Sequence, residues 1–247
     1  MLLSSSTWQE VETYLKASSG IIVPIGSTEQ HGPNGVIGTD AMCAEAIAAG
    51  VGEATGALVA PVINIGMAQH HMAWPGSITY MPTTLVAVVH DIVFSLARHG
   101  FERMFFINGH GGNRDPLSTA FSEIYARASV YPGSVTRVRC VRFEWWEHAS
   151  VKAISREIFG EHDGTHATCS EISVTQYLSP DNIKTADMES AGPRARKYFD
   201  CEDHRSICPD GRSGSWPVLA RPEHGQRLYD AAVTALSEEY GAFVSQA

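Results

Sequence analysis

Short apolar runs alternate with segments of helical period along this chain, and that alternation admits few folds. Residues 20–26 (GIIVPIG) read as a buried strand. Residues 57–62 (ALVAPV), 103–107 (RMFFI) and 135–143 are three further strand candidates, the last rich in β-branched residues. Helix signals lie between and around them. Ser6-Thr7 caps a helix running to about Lys16, and Thr39-Asp40 caps one through Ala49. Pro82-Thr83-Thr84 opens a helix ending near His99-Gly100, and Asp115-Pro116 opens one through about Arg127. From Pro222 onward, Leu228, Ala231, Ala232, Ala235, Leu236 and Tyr240 fall at helical spacing. Strands alternating with helices give an α/β fold, a mostly parallel sheet covered on both faces. Ligands of such sheets gather beyond the carboxyl ends of the strands. The two most polar glycine-rich segments follow the first and third strands directly.

Composition excludes several classes of function. The 247 residues are 44% apolar and 18% charged, enough for a well-buried core. With 18 Lys and Arg against 27 Asp and Glu, the net charge is −9, and no basic run is present. Neither nucleic acid nor an anionic membrane surface is an expected partner. The first six residues lack the charged and apolar regions of a signal peptide, and no run of about 18 apolar residues exists to span a bilayer. The five cysteines are scattered, include no CxxC and are odd in number, which fits reduced thiols in the cytoplasm. Cys201 and Cys208 lack a second Cys/His pair at zinc-site spacing.

Three segments carry the chemistry. The first is Glu29-Gln30-His31, followed by Thr39-Asp40. In extended chain the side chains of Glu29 and His31 point the same way. The surrounding glycines and Pro33 let the backbone turn Asp40 back toward them. Asp40 has a plainer reading as a helix cap. The second segment is Asn108-Gly109-His110-Gly111-Gly112-Asn113. It reads either as a glycine turn with an incidental histidine or as a ligand at the mouth of the sheet. It lacks the spacing and the Lys-Ser/Thr ending of a phosphate loop, and a nucleotide-binding fold is disfavoured because the first turn lacks GxGxxG. The third segment contains His166 and Glu171. Here the alternatives are a satisfied core or surface histidine and a carboxylate placed in a helix's first turn. Together the three segments offer nitrogen and oxygen ligands suited to zinc, manganese or iron. One bridging carboxylate would allow two ions about 3.5–4 Å apart.

In order, spacing and glycine context, these residues resemble the creatininase (creatinine amidohydrolase) family. The stretch His71-Met72-Ala73-Trp74-Pro75-Gly76-Ser77-Ile78-Thr79 is also similar to an element of that family. The likeness spans about residues 20–175 and assigns nothing beyond about 180. It implies one domain over residues 1–247, a three-layer α/β/α sandwich, a dinuclear metal centre and a homohexamer. It implies that Glu29, His31, Asp40 and His110 are ligands, with Asp40 bridging, and that His166 is an acid/base group. His71 and Ser77 are assigned to the substrate side. Trp145 and Trp146 either form an aromatic wall there or pack in the core or a subunit interface.

Three positions depart from the creatinine-hydrolysing pattern. Gly112 stands where a glutamate ligand is found, so Glu171 is assigned as both fifth ligand and catalytic group. His162 replaces a tryptophan, and Asn34 replaces a histidine. The expected activity is therefore hydrolysis of a small, possibly cyclic, amide by hydroxide generated between two divalent ions, zinc first, with manganese or iron as alternatives. A deformylase or a peptide-trimming hydrolase would share the site, and a non-catalytic metal-binding protein would share the ligands without turnover.

Overall fold

The structure is a computed structural model that describes residues 1–131 and 137–245. Strands β1 (Gly20–Ile25), β2 (Leu58–Val59), β3 (Arg103–Asn108) and β4 (Arg139–Glu144) form, among the described residues, one parallel sheet in the order β2-β1-β3-β4. Register places Ile22 between Val59 and Phe105, and Phe105 beside Val141. Alternation then sends each strand's side chains to two faces. Ile21, Val23, Ile25, Met104 and Phe106 enter one core, and Ile22, Phe105 and Ile107 enter the other. Every residue of β1 is buried, as a strand covered on both faces requires.

Helices α1 (Trp8–Leu15), α3 (Pro82–His99) and α4 (Arg114–Val130) cover the first face. Helices α2 (Thr39–Thr55), α5 (Ala149–Phe159), α6 (Cys169–Leu178) and α8 (Pro222–Val244) cover the second. A short helix, α7 (Cys201–Ile207), packs instead against the turn at residues 69–71. The architecture is the expected α/β/α sandwich.

Several boundaries differ from the sequence reading. The second strand shrinks to two residues because Pro61 has no N–H to give the ladder, although Ala60 and Ile63 still bond to Ile22 and Pro24. The fourth begins at Arg139; the expected start at Val135 and Thr136 lies outside the described residues. Helix α2 runs past Ala49 to Thr55, because continued burial of Val51 outweighs the roughly 1 kcal/mol helix cost of Gly50. Its cap is Gly38, and Thr39 and Asp40 lie inside its first turn without a side-chain capping bond. The Asp40 carboxylate is thus free of the capping role. Among the described residues no helix is long and apolar enough to cross a membrane.

Candidate metal centre

The carboxyl ends of β1 and β3 lie side by side, with Ile25 paired to Asn108. Past Ile25 the chain stays largely extended, making isolated bridges at Thr28 and His31, so Glu29 and His31 turn inward together. Past Asn108 the chain turns at once, and the Asn108 side chain clasps His110 from both sides. Its amide nitrogen donates to the His110 carbonyl at 2.7 Å, and its oxygen accepts the His110 N–H at 3.1 Å. Asn113 ties the same loop to its neighbours, donating to the Gly26 carbonyl and accepting from the Met67 N–H. Gly109 admits the first turn of α2, since a Cβ there would stand 2.2 Å from the Asp40 carbonyl oxygen.

These elements deliver Glu29, His31, Asp40 and His110 to one buried point, each no more than 5% exposed. The two oxygens of Asp40 face different histidines. Oδ1 lies 3.0 Å from His31 Nε2, and Oδ2 lies 3.1 Å from His110 Nδ1. Glu29 Oε2 is 3.2 Å from His110 Nδ1, and Glu171 Oε2 is 3.8 Å from His31 Nε2. Both oxygens of Glu29, and Oδ2 of Asp40, are buried yet accept no aligned hydrogen bond. Anionic oxygens in that state are costly unless a cation meets them.

The histidines are set to leave room for one. His31 Nδ1–H donates to the Glu29 carbonyl at 3.1 Å, and His110 Nε2–H donates to the Met67 carbonyl at 3.0 Å. Each remaining ring nitrogen turns toward the carboxylates. A backbone carbonyl holding the far nitrogen is the usual support of a metal-bound imidazole. Two imidazoles with three carboxylates form a donor set for zinc or manganese, so the residues fit a divalent-metal centre.

Burial alone would lower the pKa of His31, but Asp40, Glu171 and Glu29 outweigh it and raise it to about 10. Burial likewise opposes protonation of His110, and Glu29 and Asp40 override it and raise that ring well above the ordinary imidazole value. Despite its burial, Glu29 is held well below the usual carboxylate range by His110 and His71. Glu171 rises to about 7 through burial, against the pull of His31. In metal-free protein, protons on His31 and His110 supply the positive charge that these carboxylates require.

Glu171 bears out the helix-start reading and keeps its second oxygen available. Its Oε1 accepts the Thr168 N–H in a capping box that starts α6, which leaves Oε2 toward His31. Gly112 cannot take over as ligand. A Cβ there would stand 2.3 Å from the Met67 carbonyl oxygen and 2.4 Å from His110 Nε2, in the path of the bond that orients His110.

His166 stacks on His71 and lies tilted against His31, with ring centroids 4.1 and 4.7 Å away. Its Nε2 lies 2.9 Å from both the carbonyl oxygen and the side-chain nitrogen of Gln30, and Nδ1 lies 3.7 Å from Glu29 Oε1. Burial, with His71 and His31 nearby, lowers its pKa well below the ordinary value. Ala167, which follows it, holds a left-handed backbone (φ 51°), a strained conformation of the kind that clusters at functional sites.

A second set of potential ligands, Glu29, His71 and His166, also converges. The Gln30 amide argues against a cation there. Its oxygen accepts from Gly32 N–H, and its nitrogen donates to the Gly211 carbonyl and approaches His71 Nδ1 at 2.9 Å. That orientation makes His71 Nδ1 the acceptor and puts the ring proton on Nε2, 3.2 Å from Glu29 Oε1. His71 therefore backs Glu29.

A cleft of about 530 Å³ opens onto Asp40, His110, His166 and Glu171, with Trp145 and Trp146 in its wall. Trp145 is also part of the core at 1% exposure, while Arg114 lies over the Trp146 ring. His71 and Ser77, expected on the substrate side, do not line this cleft. The Ser77 hydroxyl accepts the Gln30 N–H instead. His162 packs on Trp216, and Asn34 bonds to the Pro217 carbonyl, so neither reaches the cleft.

The chain beyond residue 180, unassigned from sequence, completes the site. Ser213 pairs with the backbone of His166, and the buried His204 donates from Nδ1 to the His70 carbonyl. Asn108, Asn113, Gln30 and His204 are the positioning residues that sequence reasoning missed. The asparagines bracketing His110 were the available signal.

The sequence profile of the creatininase family, described as creatinine amidohydrolase, matches residues 4–240. Creatinine amidohydrolase of Pseudomonas putida is 28% identical over 94% of this chain and 93% of its own. A mycofactocin precursor peptide peptidase of Mycobacterium ulcerans (strain Agy99) is 31% identical over 85% of this chain and 79% of its own. Among solved structures, a manganese creatininase superposes with a TM-score of 0.82 at 25% identity, covering 98% of each chain.

Proposed function

The chain is a member of the creatininase family and a hydrolase acting on C–N bonds, and from that premise we propose a dinuclear amidohydrolase of small amides. Glu29, Asp40 and His110 would hold one divalent ion, and His31, Asp40 and Glu171 the other, with Asp40 shared. The observation that carries this reading is the paired support of His31 and His110 by backbone carbonyls, which turns both free ring nitrogens onto carboxylate oxygens without other partners. Zinc is the first choice for such a set, with manganese and iron as alternatives.

When bound, the ions supply Lewis acidity for the amide carbonyl and lower the pKa of water at the site toward neutral. The protein supplies the rest. His166 lines the cleft beside Asp40 and Glu171, with its Nε2 against Gln30. Its lowered pKa keeps the ring uncharged, ready to take a proton from water and pass it to the leaving nitrogen. His71 steadies Glu29, and Trp145 and Trp146 stand in the cleft wall beside Arg114. Water adds across the C–N bond to give a carboxylic acid and an amine.

The open cleft beside His166 favours catalysis over a closed metal-storage role. The same cleft would hold more than one small ring, and the relatives include peptide peptidases, so acyclic acyl and peptide amides stand beside cyclic ones as substrates. The free thiols fit the cytoplasm, and the exposed Met72, Ile78 and Met81 are available for subunit contacts in a homohexamer. Assay of zinc-loaded protein on creatinine, N-formyl heterocycles and short acyl peptides tests the reading. Metal-dependent turnover of one class is expected; a metal-loaded protein inert toward all three would overturn it.

A further inference from the structure

The cleft wall carries four cationic side chains: Arg114, Lys152, Arg156 and Arg194. Two of them are neutralised within the protein. Arg114 pairs with Glu144 and Glu147, and Lys152 pairs with Glu147. Among the described residues the guanidinium groups of Arg156 and Arg194 make no ion pair and no hydrogen bond, although the chain carries a net charge of −9. The carboxylates of the same wall do not answer them. Asp163 is taken by the Ser155 and Ser170 hydroxyls and the Ser170 N–H, Glu147 by the pairs just named, and the exposed Glu161 pairs with neither arginine.

The backbone that carries the exposed Arg194 is held in place. Gly214 donates its N–H to the Pro193 carbonyl at 3.1 Å, and the Ala195 N–H donates to Ser213 Oγ at 3.0 Å, which pins the backbone on both sides. The left-handed Gly214 leaves room for the side-chain stem, for a Cβ there would stand 2.9 Å from Arg194 Cγ. The segment that holds Arg194 is the one that pairs with the backbone of His166, so this arginine is referenced to the catalytic cluster. Arg156 comes from α5, in the opposite direction along the chain. Two exposed, unneutralised forks in the wall of one cleft, supplied by separate elements, suit a carboxylate, which guanidinium groups bind through charge-assisted and often paired hydrogen bonds.

We propose that Arg156 and Arg194 read a carboxylate on the substrate, so the amide hydrolysed here carries an anionic group a short distance from the scissile C–N bond. The inference rests on the hydrolytic reading of the metal centre for the position of that bond. A cleft of about 530 Å³ has room for an acyl group plus one to three small residues.

The test measures binding to zinc-loaded protein by calorimetry. The probes are N-acetylglycine, N-acetylglycylglycine and N-acetyltriglycine, each as the free acid and as the C-terminal amide. For at least one length the acid is expected to bind about tenfold tighter than its amide. In the double variant Arg156→Gln/Arg194→Gln that ratio should fall to within about twofold, while Arg156→Lys/Arg194→Lys should retain part of it. Equal binding of acid and amide at every length would overturn the proposal. So would a preference that survives the glutamine variant, which would place the carboxylate on the ions instead, or the absence of binding by all six probes. Turnover is recorded separately. An arginine-dependent preference with no hydrolysis of any probe supports the arginine pair and counts against the hydrolytic reading alone.

Discussion

His31 Nε2 lies 3.0 Å from Asp40 Oδ1, and both side chains are almost wholly buried. The second oxygen of the same carboxylate faces His110, which places Asp40 between the two halves of the site. Removing its charge should therefore empty both halves. Wild-type protein is expected to hold about two ions per chain, Asp40→Asn to lose both through at least about a 100-fold fall in affinity, and Glu171→Gln to keep about one. Elemental analysis after dialysis against a weak chelator reads the three values. Full metal retention by Asp40→Asn would contradict the shared-ligand arrangement.

Metal uptake should expel protons. The pKa of His31 is raised to about 10 and that of His110 well above the ordinary value, so both rings are protonated in metal-free protein at pH 7.5. Ligation needs the neutral ring, and about two protons should leave per chain. Calorimetry of zinc binding in buffers of different ionisation enthalpy counts them. The same shifts set a stability trend. Stability contributed by a raised histidine is full below its unfolded value near 6.5 and is lost as pH rises through the folded one. Metal-free protein should thus lose thermal stability between about pH 7 and 10, and metal-loaded protein should lose less. Uptake without proton release would contradict both expectations.

Gly112 should resist every substitution. Alanine there meets the Met67 carbonyl and His110 Nε2 at once, so Gly112→Ala is expected to cost about 1–3 kcal/mol and to weaken metal binding. Gly112→Glu, which restores the glutamate of the creatinine-hydrolysing pattern, should lose metal for the same reason. Thermal unfolding and metal content of the two variants decide the point. A Gly112→Glu protein that held its metal and its stability would show that this loop can rearrange.

The sheet and the residues that meet in the buried cluster were legible from sequence for separate reasons. Strands β1 and β3 are buried on both faces, so their apolar runs are unbroken, and the turns after them are marked by glycine. Glu29 and His31 announce themselves because alternation in extended chain puts both on one side. The second strand was read too long because its pairing stops at Pro61. What stayed hidden depends on contacts between distant segments. His71 looks like a pocket residue until Gln30 is seen to fix its tautomer, and Gln30 is itself anchored on Gly211, 181 residues away. Glu171 was legible as a helix-start residue and as a candidate ligand, and only the fold shows that Oε1 takes the capping bond while Oε2 stays toward His31.

His166 should matter for turnover and little for metal. Its Nε2 lies against Gln30, and its Nδ1 stays outside the histidine–carboxylate contacts around Asp40. His166→Gln is expected to lower kcat by about 100- to 10,000-fold, with metal content near wild type. Steady-state kinetics on any substrate found, paired with elemental analysis, checks both halves. Loss of the metals along with the activity would make His166 a ligand.

The central claim is a dinuclear centre built around Asp40. Anomalous diffraction from crystals of zinc-loaded protein, collected on both sides of the zinc absorption edge, tests it directly. Two peaks are predicted about 3.5–4 Å apart, one beside Glu29 and His110 and one beside His31 and Glu171, with the Asp40 carboxylate between them. A single peak among Glu29, His71 and His166, or no peak near Asp40, would contradict it.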